Sequence, residues 1–185
     1  MVDIEKASKL AVNHCRYKVG AFYGSPSGLA LGVGIVYDSI RYPLLDDATN
    51  LYDTVEGLVY VLTHECDIDP LNERIFNEYV LVCPIIRFEH WAVELAASMN
   101  EGALFGLIPD LSQDKIFRAF YLPPLGEALP FGGVLYFNQI CSAHRNSFAS
   151  AEAISALSTY AQRIIDMKLQ NHFFRPKSDQ LPLIT

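Results

Sequence analysis

About a third of the way along the chain stand His64, Glu65, Cys66, Asp67 and Asp69. An imidazole, a thiol and three carboxylates this close together are the groups that move protons, attack electrophiles and hold metals. His64 is a candidate general base with Asp67 to orient it, and Cys66 a nucleophile if an imidazolium stabilised its thiolate. The neighbouring anions Glu65, Asp67 and Asp69 oppose that thiolate, because negative charge raises a thiol pKa. A plainer reading exists for the same residues. Asp67 and Asp69 start a turn closed by Pro70, and Cys66 packs as a small hydrophobe.

Metal binding is the second chemistry these residue types offer. His64 and Cys66 could join Cys141 and His144 in a tetrahedral Cys2His2 zinc site, the ligand set that closes a structural zinc. The spacing matches no finger pattern, so no cofactor is expected and zinc is the minor alternative. Cys15, Cys66, Cys83 and Cys141 form no CxxC pair. Basic residues that could meet nucleic acid are scattered: Arg16 with Lys18, Arg118, His144 with Arg145, and Arg163 with Lys168. Arg145 stands out, because Asn138, Gln139, His144 and Arg145 could line one groove with Thr63, His64, Glu65 and Asp69. Tyr60, Tyr79, Tyr136 and Phe137 are the candidates for stacking bases there, although their apolar neighbours favour the core.

Strands must hold this cluster. Residues 59–62 and 79–83 are rich in β-branched and aromatic side chains and read as a pair of strands flanking the polar loop. Residues 3–15 fit a short amphipathic helix that Asp3 could cap. GSPSG at 24–28 is a turn, and 29–38 reads as a strand bulged by Gly32 and Gly34. DDATN at 46–50 is a loop. Trp91, Leu95 and Met99 mark one face of a helix that ends at 100–102. Residues 116–122 and 133–140 alternate as strands, the first stopped by Pro123 and Pro124. The spacing of Ile154, Leu157, Ala161, Ile164, Ile165 and Leu169 predicts a long helix over 150–172. The domain runs over 1–176, with 177–185 as a tail.

At 185 residues, 51% hydrophobic and 12% aromatic, the chain can bury a core without disulfides or metal. A net charge of −7 excludes a global basic field, so nucleic-acid binding would need a local patch. No apolar run approaches the roughly 20 residues of a membrane span. The acidic residues at the N-terminus do not suit a signal peptide, so a cytoplasmic protein with reduced thiols is expected.

The order of these segments resembles the MazF/PemK group of toxins. In that family a V-V-L-S type strand precedes a loop and a strand ending in a C-V-P-like turn, followed later by a G-V-x-x-x-D-Q-V-x-S strand and a closing helix. Val61, Leu62 and Thr63 match the first strand, Val82 and Pro84 the second, and Gly133, Val134, Gln139, Ile140 and Ser142 the third. The likeness covers 57–86 and 132–172. It implies a mainly β, α+β fold: an SH3-like small β-barrel with a helical insertion around Trp91, an N-terminal helix and a long C-terminal helix. It also implies a bacterial toxin–antitoxin or phage-defence setting and a homodimer.

The departures bear on activity. Family ribonucleases carry an Arg-Pro pair just before the first matched strand and a threonine after the proline of the second. Here Glu56, Gly57 and Leu58 stand before the first strand, and Ile85 and Ile86 follow Pro84. Attack by a ribose 2′-hydroxyl needs a cation or proton donor at the phosphorus, and Arg87 is the nearest substitute. The expected role is therefore binding or regulatory, through a protein partner. The alternative is a divergent endoribonuclease, or another nucleic-acid hydrolase, working with His64, Asp67 and Arg145 on RNA.

Overall fold

Caps and apolar spacing explain the helices of the computed structural model, which describes residues 2–25, 31–46, 49–72 and 78–174. Asp3 accepts a hydrogen bond from the Lys6 amide at 3.0 Å and starts α1 (Ile4–His14), which buries Ala7 and Ala11 as its spacing predicts. Helix α3 (Phe88–Ser98) carries Trp91 inward. Asn100 does not end the helical region. Its side chain accepts from the Ala103 amide at 2.8 Å and caps a further helix, α4 (Glu101–Ser112), which seats Leu104, Ile108 and Leu111 against α1 and α3.

The strands are β1 (Tyr23–Gly24), β2 (Ile35–Asp46), β3 (Leu51–Val61), β4 (Tyr79–Arg87), β5 (Ala119–Leu122), β6 (Gly133–Tyr136), β7 (Cys141–His144) and β8 (Ala153–Leu157). Every pairing is antiparallel. The order is β1-β8-β2-β3-β4-β6-β5, with β7 joined to β4 beside β6. Together with α2 (Glu65–Ile68) and α5 (Thr159–Phe174), this makes an α+β protein that is mainly β. Among the described residues the sheet does not close. Ile40 and Tyr42 of β2 share a core with Ala143 of β7, but the two strands are not paired.

Several sequence expectations are corrected. The long helix over 150–172 is two elements: Ala156 and Leu157 pair with β1 while Ala153, Ser155 and Ala156 pair with β2, and the helix starts only at Thr159. Ile154 and Leu157 satisfy helical spacing, yet two open strand edges claim their backbone. Ser158 then accepts from the Ala161 amide and opens α5. Strand β2 begins after Gly32 and Gly34, and its irregularity lies between Tyr37 and Ile40, where Ser39 takes φ 58°. The strand expected over 116–122 starts at Ala119, and that expected over 133–140 ends at Tyr136 in a 3₁₀ turn, Phe137–Gln139. The turn at 24–28 and the loop at 46–50 fall partly outside the described residues, and the tail at 177–185 wholly so.

Strand β3 changes character along its length. Leu58 and Tyr60 enter one core on one face, while Val59 and Val61 enter another on the opposite face, so this half reads as an unbroken apolar run. Its first half is exposed from Leu51 to Thr54. Pro84 sits in the middle of β4 without breaking it. The Leu62 amide donates to the Leu81 carbonyl, so the backbone of odd-numbered β4 residues faces β3 and that of Pro84 faces the opposite edge. There the partner changes from β7 to β6 across the 3₁₀ turn, so the missing N–H removes no ladder bond.

Candidate functional site

The polar loop between β3 and β4 is organised by its own backbone. His64 caps α2, its Nδ1 accepting from the Cys66 amide at 3.3 Å, while Nε2 lies 3.5 Å from the Glu65 carboxylate. Asp69 accepts from the Leu71 amide at 2.9 Å, and the Asn72 side chain donates to the Cys66 carbonyl at 2.7 Å. The Asp67 amide donates to the His64 carbonyl. Thr63 Oγ1 accepts from the Leu81 amide at 2.6 Å, prolonging the β3–β4 pairing by one step. Asp69 thus takes part in a turn, as the plainer reading of Asp67, Asp69 and Pro70 expects, but Cys66 is exposed and not packed as a small hydrophobe. His64 has a specific state: an Nδ1 that accepts from the backbone leaves the proton on Nε2, so a neutral His64 presents no free basic nitrogen while the cap is made.

His144 repeats the device across β4. It caps the 3₁₀ turn Arg145–Phe148, its Nδ1 accepting from the Asn146 amide at 3.1 Å, and its ring meets Tyr79 edge-on at 5.6 Å. Zinc binding through Nε2 would require both imidazoles to reverse tautomer and give up their caps. Of the thiols in that set, Cys66 is exposed, whereas burial pushes the Cys141 thiol up to about 11 and holds it protonated at neutral pH. Among the described residues, no group of three or more His, Cys, Asp or Glu is placed to hold a metal ion.

The expected groove residues are distributed over different surfaces. His64 and Glu65 line a cleft of about 340 Å³ together with Gly32, Ile35 and Gln162. Asn138 and Gln139 line a second, of about 430 Å³, with Leu45, Tyr52 and Cys141. Thr63 and Ser142 flank Leu81 on opposite edges of β4, so β4 stands between them. Arg145 is half-buried, and its amide donates to the Glu78 carbonyl at 2.7 Å. Arg87 is tied by its guanidinium to the Ala128 carbonyl at 2.5 Å. Of the candidate stacking aromatics, Tyr60 and Phe137 are core, and the Tyr136 hydroxyl accepts from Trp91; Tyr79 is exposed.

The sequence reading passed over the outer half of the β2–β3 hairpin. Residues 40–46 and 51–57 pair with each other beyond the point where β4 and β8 leave them, forming a two-stranded ribbon. Leu45 and Tyr52 are an exposed cross-strand pair, and Leu51 and Tyr52 are 65% and 73% exposed. No described strand pairs with residues 51–58 on the side away from β2.

No protein-family model, curated protein or solved structure matches this chain. The open edge of β3 can be resolved into individual groups. Leu62 N–H points toward β4 and Val61 C=O toward Gly34, the residue just before β2. The β3 register shows no shift from Leu51 to Gly57, the extra residue at the irregularity lying on β2. By alternation, Tyr52, Thr54 and Glu56 direct their N–H and C=O groups outward, while Leu51, Asp53 and Val55 bond to β2. A weak signal for this was present in the sequence: Tyr52, Thr54 and Val55 are strand-favouring residues that lead from the DDATN turn straight into the apolar strand.

Proposed function

We propose that the protein is a binding component that engages a protein partner by strand addition along the outer edge of β3. The observation that carries the reading is the row of outward backbone groups on Tyr52, Thr54 and Glu56, set beside the exposed side chains Leu45, Leu51 and Tyr52. Main-chain groups on an open edge supply affinity, and alternate side chains supply selectivity. A two-stranded ribbon is marginal alone and gains stability from a third strand. The likeness to MazF/PemK toxins supplies the setting, a bacterial toxin–antitoxin or phage-defence system in a barrel-derived protein without the family's arginine and threonine. The polar loop then serves to fix the β3–β4 connection through the His64 cap and the Thr63 bond to Leu81.

The competing reading, an endoribonuclease using His64, Asp67 and Arg145, is tested directly. Labelled single-stranded RNA incubated with the wild type, His64→Ala and Arg145→Ala is expected to stay intact in all three. Cleavage by the wild type that disappears in either variant would overturn the binding role.

A further inference from the structure

We propose that the outward face of α5 is a second docking surface, and that its occupant is an amphipathic helix with acidic flanks supplied by a different protein. The inference concerns another element than β3 and does not depend on strand addition there.

A helix on the surface of a domain needs one apolar stripe, the one it turns to the core. Helix α5 has two. Ala161, Ile165 and Lys168 are buried on the inward face. A second row, Tyr160, Ile164, Met167, Asn171 and Phe174, recurs at alternating steps of four and three along the same helix. That is the period of a helix–helix seam: with Ile164 and Asn171 at a, Tyr160, Met167 and Phe174 fall at d. These three d residues are 41%, 58% and 78% exposed. The row runs for about 21 Å, and an asparagine at a is a device that sets the register of paired helices. Arg16 and Tyr17 face Tyr160, Ile164, Met167 and Asn171 across a cleft of about 400 Å³. An incoming helix can seat side chains in that recess.

Charge selects the occupant. The Lys18 amide donates to the Tyr160 hydroxyl at 3.5 Å, which brings Arg16 and Lys18 beside the first turn of α5. Arg16, Lys18 and Arg163 are exposed, and among the described residues none of them pairs with a carboxylate. On a chain of net charge −7 this basic border is a local exception. The flanking positions of the seam are Arg163 and Gln170 at g, and Ala161 and Lys168 at e, with Lys168 already engaged by Asp114. A second copy would therefore bring two flanks together with no carboxylate on either. A helix with glutamates at e and g supplies the missing charges.

Fluorescence anisotropy with the full chain tests this against two synthetic peptides of about three heptads. Both carry isoleucine and asparagine at a and leucine at d; one has glutamate at e and g, the other lysine. The glutamate peptide should bind the wild type at least about tenfold more tightly than the lysine peptide at low ionic strength, and added salt should narrow the gap. Met167→Glu alters an exposed position, so the variant should melt like the wild type yet bind the glutamate peptide about tenfold more weakly. Arg163→Glu should shift the preference toward the lysine peptide. A wild type that binds neither peptide, or both equally, would overturn the proposal, as would binding untouched by Met167→Glu. Displacement of the glutamate peptide by single-stranded RNA would assign the surface to nucleic acid and overturn it as well. Both variants leave β3 intact, so failure here is separable from failure of the strand-addition reading.

Discussion

Lys168→Ala is expected to cost the fold about 3 kcal/mol, the low end of the range for removing one member of a buried ion pair. Lys168 is 7% exposed and Asp114 16%, so neither charge is well solvated. The ammonium donates to the Asp114 carboxylate, to the Asp114 carbonyl at 3.1 Å and to the Ile116 carbonyl at 2.7 Å, which ties α5 to the turn before β5. Alanine leaves the carboxylate without its counter-charge and two carbonyls without a donor. The double variant Lys168→Met with Asp114→Asn should recover most of the loss, because it removes both charges and asparagine tolerates the left-handed backbone, φ 66°, at that position. Urea denaturation measures both. A single-variant loss under about 1 kcal/mol would mean the pair behaves like a screened surface contact.

Gly132→Ala should be at least as damaging. Gly132 has φ 92°, and a Cβ there would lie 2.5 Å from the Leu122 carbonyl oxygen and 2.8 Å from the Tyr121 hydroxyl. That carbonyl belongs to β5 next to the Leu122–Gly133 register pair, and Gly132 itself accepts from the Phe88 amide, so neither side can retreat freely. Backbone strain of about 1–3 kcal/mol adds to an overpacking cost of about 1–3 kcal/mol. The expected result is a loss of about 2–6 kcal/mol in the same denaturation experiment. A variant within about 0.5 kcal/mol of the wild type, the usual surface range, would show that the turn before β6 can be rebuilt around a side chain.

What the sequence revealed and what it concealed follow from where each signal resides. Asp3 and the spacing of Ala7 and Ala11 are local, and α1 formed as they indicate. The β-branched runs around Val61 and Val82 did become paired strands, because both faces of the sheet bury them. Helix α4 was hidden by Gly102, Gly106 and Pro109, residues that discourage a helix; burial of Leu104, Ile108 and Leu111 overrides them. Residues 153–157 carried helical spacing, and only the open edges of β1 and β2, distant in sequence, make them a strand. Lys168 was grouped with Arg163 as a basic residue that could meet nucleic acid, yet it shares the inward face with Ala161 and Ile165 and finds its counter-charge in another element.

The candidate site divides in the same way. That His64, Cys66 and Asp69 occupy one loop was legible; that His64 and His144 both turn Nδ1 toward the backbone was not, since a tautomer depends on which amide comes within reach. The free edge of β3 escaped notice because an edge is defined by strands that do not arrive. Only the departure of β4 after Val59 and Pro84 exposes it.

Amide hydrogen exchange, read residue by residue across β3 in dilute protein, is the most direct test of the binding role. Tyr52, Thr54 and Glu56 should exchange rapidly in the isolated chain, while Leu51, Asp53 and Val55, bonded to β2, are protected. Protection of Tyr52, Thr54 and Glu56 in that dilute sample would mean that the edge is covered within a single chain, and the surface assigned to a partner would not exist.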